Sequence, residues 1–226
     1  MKDEKSNLEY LKKDNKAKRA VILLHGFGAS MQDLFGLSEV IKTKSSLDWF
    51  FPNGPMQVNL GYGMVGRAWF PVDMAALDQA MRSGVPRDFS NNYTSEFESA
   101  LLKAEQFFDS IANGYDEVIV GGFSQGAMVS SHLSLMNHHK IKGLICFSGT
   151  LLGKDKLVER LKGSQKIPFL QSHGISDPVL GLEMAKNQFK LFSEYGFKGE
   201  FIEFDGAHEI PFSVIEKTQE FINKIF

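Results

Sequence analysis

The sequence is poor in the features that mark several protein classes. It has one cysteine, Cys146, among 226 residues, so no disulfide can form within the chain, which accords with a reducing compartment. Its 25 basic and 27 acidic side chains nearly cancel, leaving a formal charge of −2. Without a basic excess there is no electrostatic reason to expect nucleic acid as a partner. No apolar run is long enough to span a bilayer, and the opening MKDEKSNLEY lacks the apolar stretch of a secretory signal. The expectation is a cytoplasmic protein. Proline is scarce, at 7 residues, and no linker, repeat or low-complexity tract divides the chain. A single domain over residues 1–226 follows, large enough to bury about 70% of its unfolded surface without staples.

Apolar residues make up 43% of the chain, with 20 phenylalanines against 2 tryptophans and 5 tyrosines. Short apolar runs at Ala20–Leu24, Val118–Val120, Leu144–Phe147, Pro168–Leu170 and Glu200–Phe204 alternate with helical patterns. That alternation predicts an α/β fold with a mainly parallel central sheet flanked by helices. The first three runs are nearly all apolar, as strands buried on both faces are. Leu34, Leu37, Val40 and Ile41 form one helical face. Ser95 and Glu98 have capping-box spacing before Phe97, Leu101, Phe108 and Ile111. A helix through Phe189 and Phe192 ends at Gly196, and a final helix from Pro211 turns Ile215, Ile222 and Ile225 inward. Leu8–Leu11 and Arg19–Leu24 are expected to pair as an N-terminal hairpin across the polar stretch between them.

Gly122-Phe123-Ser124-Gln125-Gly126 gains its meaning from its position. It follows a buried strand and precedes a helix. A turn that sharp strains the central serine's backbone and tolerates only small residues two positions to either side. The serine then stands above the sheet next to helix-terminal amides that favour negative charge. Serine needs a base to become a nucleophile, and on such an elbow the acid and then the histidine follow it in the chain. His132 falls inside the next helix, His138 and His139 at a helix end, and His173 precedes the best acid. His208, between the last strand and the last helix, is the candidate base. Asp177, in the loop after the fourth apolar run, is the candidate acid. Asp205 is its rival, but a separate loop more easily presents a carboxylate to the far imidazole nitrogen.

Leu24-His25-Gly26-Phe27-Gly28-Ala29 closes the first strand. Glycines there let backbone amides approach a substrate oxygen, so the amides of Phe27 and Gln125 form the expected oxyanion pair. His25 is read as a structural holder of this loop. The glycine spacing matches neither a dinucleotide nor a Walker phosphate motif.

These stretches, with Phe51-Pro-Asn, Trp69-Phe70, Phe147-Ser-Gly, His173-Gly-Ile-Ser-Asp-Pro-Val and His208-Glu-Ile-Pro, spread over most of the chain. Together they resemble the α/β-hydrolase superfamily, and within it the compact carboxylesterase/phospholipase family that includes acyl-protein thioesterases and lysophospholipases. The resemblance implies an ester hydrolase without metal or organic cofactor, with Ser124, Asp177 and His208 as triad and the Phe27 and Gln125 amides as oxyanion donors. The chain departs from the family pattern after the aromatic pair, where Pro71 and Val72 precede Asp73 in place of a closely following acid.

Residues 52–92 lack clear periodicity and hold several glycines and exposed-looking apolar residues, as functional loops do. Met64, Trp69, Phe70 and Leu180 are the expected pocket or lid residues, with methionine suiting an adaptable apolar groove. The expected substrate is a small-molecule or lipid acyl ester or thioester of short to medium chain length. Exposed apolar tips would permit transient contact with a membrane surface, and aromatic residues on the surface would permit a homodimer. The competing class is a non-catalytic binding module on the same fold, for which a broken triad would speak.

Overall fold

A computed structural model describes all 226 backbone positions and every side chain but that of Met81. Seven strands form the main sheet: β1 (Tyr10–Lys13), β2 (Arg19–Leu24), β3 (Asp48–Pro52), β6 (Glu117–Phe123), β7 (Ile141–Phe147), β8 (Phe169–Gly174) and β9 (Gly199–Phe204). Their spatial order is β1-β3-β2-β6-β7-β8-β9. Only β1 runs antiparallel, against β3; the other neighbours are parallel. The five apolar runs of the sequence all become strands.

Period-two alternation distributes the strand residues between two helical layers. Ala20, Ile22 and Leu24, with Val118, Val120, Leu144 and Cys146, face α3 (Ser95–Ala112), α4 (Gln125–Leu133), α5 (Lys154–Gly163) and α6 (Leu182–Glu194). Val21, Leu23, Ile119, Ile145 and Phe147 face the other way, toward α1 (Leu37–Val40) and α7 (Phe212–Ile225), where Val214, Phe221 and Ile222 complete the core.

The N-terminal hairpin does not form. β3 inserts between β1 and β2, antiparallel to the first and parallel to the second. Its sequence, DWFFP, buries on both faces: Trp49 and Phe51 join one core, Phe50 the other. Direct pairing of β1 with β2 would leave those three aromatics without a sheet to occupy. Two smaller expectations also change. Thr94 caps α3, its hydroxyl accepting from the Phe97 amide at 3.2 Å, while Ser95 is the first helical residue. Val40 is exposed, because α1 is a single turn that buries Leu37 and leaves Val40 on its outer side. Gly196 does adopt φ +85° beyond α6.

Residues 52–92 are more regular than their composition suggests. β4 (Met56–Gly61) and β5 (Met64–Ala68) form a separate antiparallel hairpin, followed by α2 (Met74–Ser83), capped by the Asp73 carboxylate on the Ala76 amide. The hairpin escapes periodicity because most of it is exposed on both faces, so no apolar alternation is imposed.

The edge of the sheet rests on a buried acid that has no counterpart among the sequence expectations. Asp48 accepts from the Tyr115 hydroxyl at 2.5 Å, the Asn15 amide at 2.8 Å and the Ala17 amide at 3.1 Å, and pairs with Lys12 at 3.0 Å. Burial alone would raise its carboxyl, but these donors outweigh burial and hold it below the usual range. It thus ties the loop between β1 and β2 to β3. Replacing Asp48 by Ala leaves the Tyr115 hydroxyl and two amides unpaired and is expected to lower unfolding free energy by about 3 kcal/mol. Urea denaturation of wild type and D48A measures it; a difference within error would show that water replaces the carboxylate without penalty.

Candidate active site

The end of β6 and the start of α4 meet at Ser124, whose backbone sits at φ 54°, ψ −116°. Such a conformation costs a non-glycine residue about 1–3 kcal/mol and persists only where its surroundings impose it. The imposing groups are close. A Cβ on Gly122 would lie 2.5 Å from the Gly126 carbonyl carbon and 2.6 Å from the Leu24 carbonyl oxygen. A Cβ on Gly126 would fall onto that same Leu24 oxygen and lie 2.6 Å from the His25 oxygen. The two glycines therefore let the turn press against the end of β2, and the serine takes up the strain. Its own amide donates to the Phe147 carbonyl at 2.8 Å.

Asp177 follows β8 in a tight turn. Its Oδ1 accepts from the amides of Val179 (2.8 Å) and Leu180 (2.9 Å), and its Oδ2 from His208 Nδ1 at 2.7 Å. Burial would raise this carboxyl, but donors from His173 and His208, with the Leu180 amide, hold it well below the ordinary carboxylate range. The loop bearing His208 reaches Asp177 because Gly174 lacks a side chain: a Cβ there would collide with the Ala207 carbonyl oxygen. Backbone bonds from Ile175 to Phe204 (2.9 Å) and from Ser176 to Gly206 (3.0 Å) stitch the two loops together. The rival acid Asp205 is exposed and makes no bond to His208.

The structure thus brings Asp177 and His208 together directly. Ser124 stands at the same rim, and the Phe123 ring before it packs on the His208 imidazole at 4.7 Å between centroids. The Ser124 hydroxyl is not hydrogen-bonded to His208 in this structure; links of this kind commonly tighten only when substrate binds.

Phe27 and Gln125 border the serine. Gln125 opens α4, so its amide has no carbonyl one turn earlier to bond, and the Phe27 amide donates to no group of the protein among the described residues. The loop is held from below by His25, whose Nδ1 bonds the Gly26 carbonyl at 2.7 Å and whose Nε2 accepts from the Gly54 amide at 2.8 Å. This is the structural role expected of it. The hairpin holds the same loop from the side: Gly28 donates to Arg67 at 2.8 Å, and Arg67 donates to Ala29 at 2.7 Å.

A pocket with about 390 Å³ of empty space, counting its open mouth, ends on Ser124 and Gln125. Phe27, Phe70, Val72, Leu77, Phe89, Met128, Val179 and Leu180 make its walls. Of the four expected pocket residues, Phe70 and Leu180 line it. Trp69 does not: it is buried against the loop after β2, its ring tilted against His25, and it donates from Nε1 to the His25 carbonyl at 3.1 Å. Met64 does not either; it opens β5 at the free end of the hairpin and is 57% exposed. The sequence reading missed the Gln125 side chain, which accepts from the Trp69 amide at 2.8 Å and donates to the Phe70 carbonyl at 2.7 Å. It thereby fixes the Phe70 wall. Met128, one turn beyond Ser124 on the same helix, was findable by helical spacing; Phe89, from a distant loop, was not.

Residues 6–226 match the family model described as phospholipase/carboxylesterase. An acyl-protein thioesterase 1 from Debaryomyces hansenii is 30% identical over 222 residues, covering 92% of this chain and 92% of that protein. A probable carboxylesterase SOBER1-like protein from Arabidopsis thaliana is 27% identical, covering 94% of this chain and 80% of its own length. Among solved structures, esterase PE8 superposes with a TM-score of 0.79 at 24% identity, covering 97% of this chain and 99% of that one. Arabidopsis thaliana SOBER1 gives 0.74 at 25%, covering 91% and 98%.

Two buried histidines make the fold sensitive to acid. Burial pushes His25 down to about 4, with the Arg67 charge adding to it against the Gly26 carbonyl. Burial likewise pushes His132 down to about 3, despite its bond to the Leu152 carbonyl. Both stay neutral when folded but take up a proton on unfolding below about pH 6.5, so stability is full above that pH and falls as pH drops toward 4. Between pH 7 and pH 5 the loss is expected to be about 2 kcal/mol per histidine. Denaturant midpoints at the two pH values, for wild type and the variants H25Q and H132Q, check it; a wild-type midpoint that does not move would refute it.

Proposed function

Because the chain belongs to the phospholipase/carboxylesterase family, an ester-hydrolase family, we propose that it hydrolyses carboxylic esters and thioesters of short to medium acyl chain length through an acyl-enzyme on Ser124. The observation that carries the reading is an apolar pocket that ends on a strained serine. The acyl chain lies between Phe70, Leu77, Phe89 and Leu180, with its carbonyl at the mouth. The Ser124 oxygen attacks the carbonyl carbon as His208 Nε2 takes its proton. Asp177 holds the imidazole with its hydrogen on Nδ1 and stabilises the cation that forms. The amides of Phe27 and Gln125 receive the oxyanion, each worth about 2.7–4 kcal/mol where such donors have been removed. His208 then returns the proton to the leaving alcohol or thiol, and water repeats the sequence to free the acid.

No helix of the described residues is long and apolar enough to cross a membrane. We place the protein in the cytoplasm, as one domain over residues 1–226, with Cys146 buried and reduced. The relatives named acyl-protein thioesterase 1 favour lipid-derived acyl groups as substrate. On this reading the β4–β5 hairpin touches the surface that carries them: Leu60, Tyr62, Met64 and Val65 are exposed at its end, and β5 is bonded to the oxyanion loop.

Ser124→Ala is expected to lower kcat/KM on p-nitrophenyl esters by about 10⁴-fold or more and to abolish labelling by a fluorophosphonate probe. Wild-type turnover should favour C4–C8 chains on the order of tenfold over C16. A folded wild type that neither labels nor turns over any ester, lysophospholipid or S-acylated peptide would leave the fold as a binding module. The hairpin is tested separately: Y62S/M64S should lose sedimentation with anionic phospholipid vesicles while keeping turnover of a soluble C4 ester. If instead wild type ignores vesicles and doubles its mass with concentration, the tip joins two copies of the chain.

A further inference from the structure

The Asp177 carboxylate carries a fourth donor that the three-residue reading does not use. His173, the fifth residue of β8, is fully buried, and its Nε2 lies 3.2 Å from Asp177 Oδ2, the oxygen that also receives His208. The same Nε2 lies 2.7 Å from the Leu180 carbonyl. Both neighbours are acceptors, so the hydrogen sits on Nε2, bonded to the Leu180 carbonyl at the shorter distance with the carboxylate beside it at the longer. Nδ1 is buried with no partner among the described residues. A proton there would be stranded away from water, which favours the tautomer with its hydrogen on Nε2.

This arrangement closes a small ring of hydrogen bonds. His173 bonds the Leu180 carbonyl and holds the same Nε2 at 3.2 Å from Asp177 Oδ2, while the Leu180 amide donates back to Asp177 Oδ1 at 2.9 Å. Here Oδ2 is caught between two imidazoles, one buried and immobile, the other at the rim. Leu180 is also a wall of the acyl pocket, so the ring joins the acid to the surface that holds the substrate.

Resting on the hydrolase reading above, we infer that His173 is a positioning residue for that reaction: through its Nε2 hydrogen it fixes the Asp177 carboxylate in the orientation that aims Oδ2 at His208 Nδ1. It never touches substrate. A histidine serving only as core filler would act through its volume, and either ring nitrogen would be dispensable. In this role one nitrogen matters and the other does not.

Two substitutions in the full chain separate these cases. The amide nitrogen of glutamine stands as many bonds from the backbone as His173 Nε2, and that of asparagine as many as Nδ1. H173N should therefore lose turnover of a soluble C4 ester by at least about tenfold at unchanged KM, and H173Q should recover all but about threefold of it. Equal turnover in the folded Asn and Gln variants, or a change confined to KM, would overturn the role. Should H173N fail to fold, nitrogen-15 NMR of the wild type decides: a His173 proton on Nε2 supports the assignment and one on Nδ1 removes it. Fluorophosphonate labelling of wild type, lost in S124A, is established first. Its absence would sink the ester reading itself, whereas labelled wild type with indistinguishable variants would sink only the part given to His173.

Discussion

The site depends on one close approach, that of Gly126 to the carbonyl of Leu24. The parallel pairing of β2 with β6 sets the two strand ends side by side, and a glycine at each flank of the elbow lets the chain turn back over them without a side chain between. The strain of that turn falls on Ser124. The same approach puts the start of α4 beside the loop leaving β2, so that Gln125 and Phe27 line one pocket with Ser124. A methyl group at Gly126 would push these apart and dissolve the serine's geometry.

Around this point the polar side chains are held mainly by backbone partners. His25 is fixed by Gly26 and Gly54, Gln125 by Trp69 and Phe70, and Asp177 by Val179 and Leu180. Backbone groups lose little freedom when they bond, since the sheet has already ordered them, and they keep a buried site satisfied without mobile charged neighbours. Rotamers fixed in this way are what precise placement of reacting atoms requires.

The β4–β5 hairpin combines two duties in one element. Its base is bonded to the loop after β2 through Arg67, and Gly66 allows the contact, since a Cβ there would overlap the Gly28 carbonyl. Its far end carries apolar residues into solvent. α2 then covers the pocket lightly, contributing Leu77 while Met74 stays exposed. A pocket walled by so exposed a helix buries less apolar surface than the sheet core does, and elements of that kind open at lower free energy than the rest of a fold.

Local sequence was enough to identify what repeats or punctuates. The apolar runs specified the parallel strands because burial on both faces leaves no room for polar residues, and Gly122-x-Ser124-x-Gly126 specified the elbow because sterics forbid alternatives. The loop order of acid and histidine led to Asp177 and His208, which the fold brings within 2.7 Å of each other. Tertiary structure alone decided the rest. β3 was invisible as a strand beside β2 because its apolar run is only Trp49–Phe51, interrupted by Asp48 before it and Pro52 after it. Trp69 became core and Met64 solvent-facing because the direction of a hairpin follows from what it packs against. Nothing in the spacing of His173 and Asp177 told that an imidazole would close on the carboxylate, since that depends on the turn through Leu180. The general reason is the same in each case: burial and backbone strain are properties of a few adjacent residues, whereas the choice of a partner belongs to atoms that only the folded chain makes neighbours.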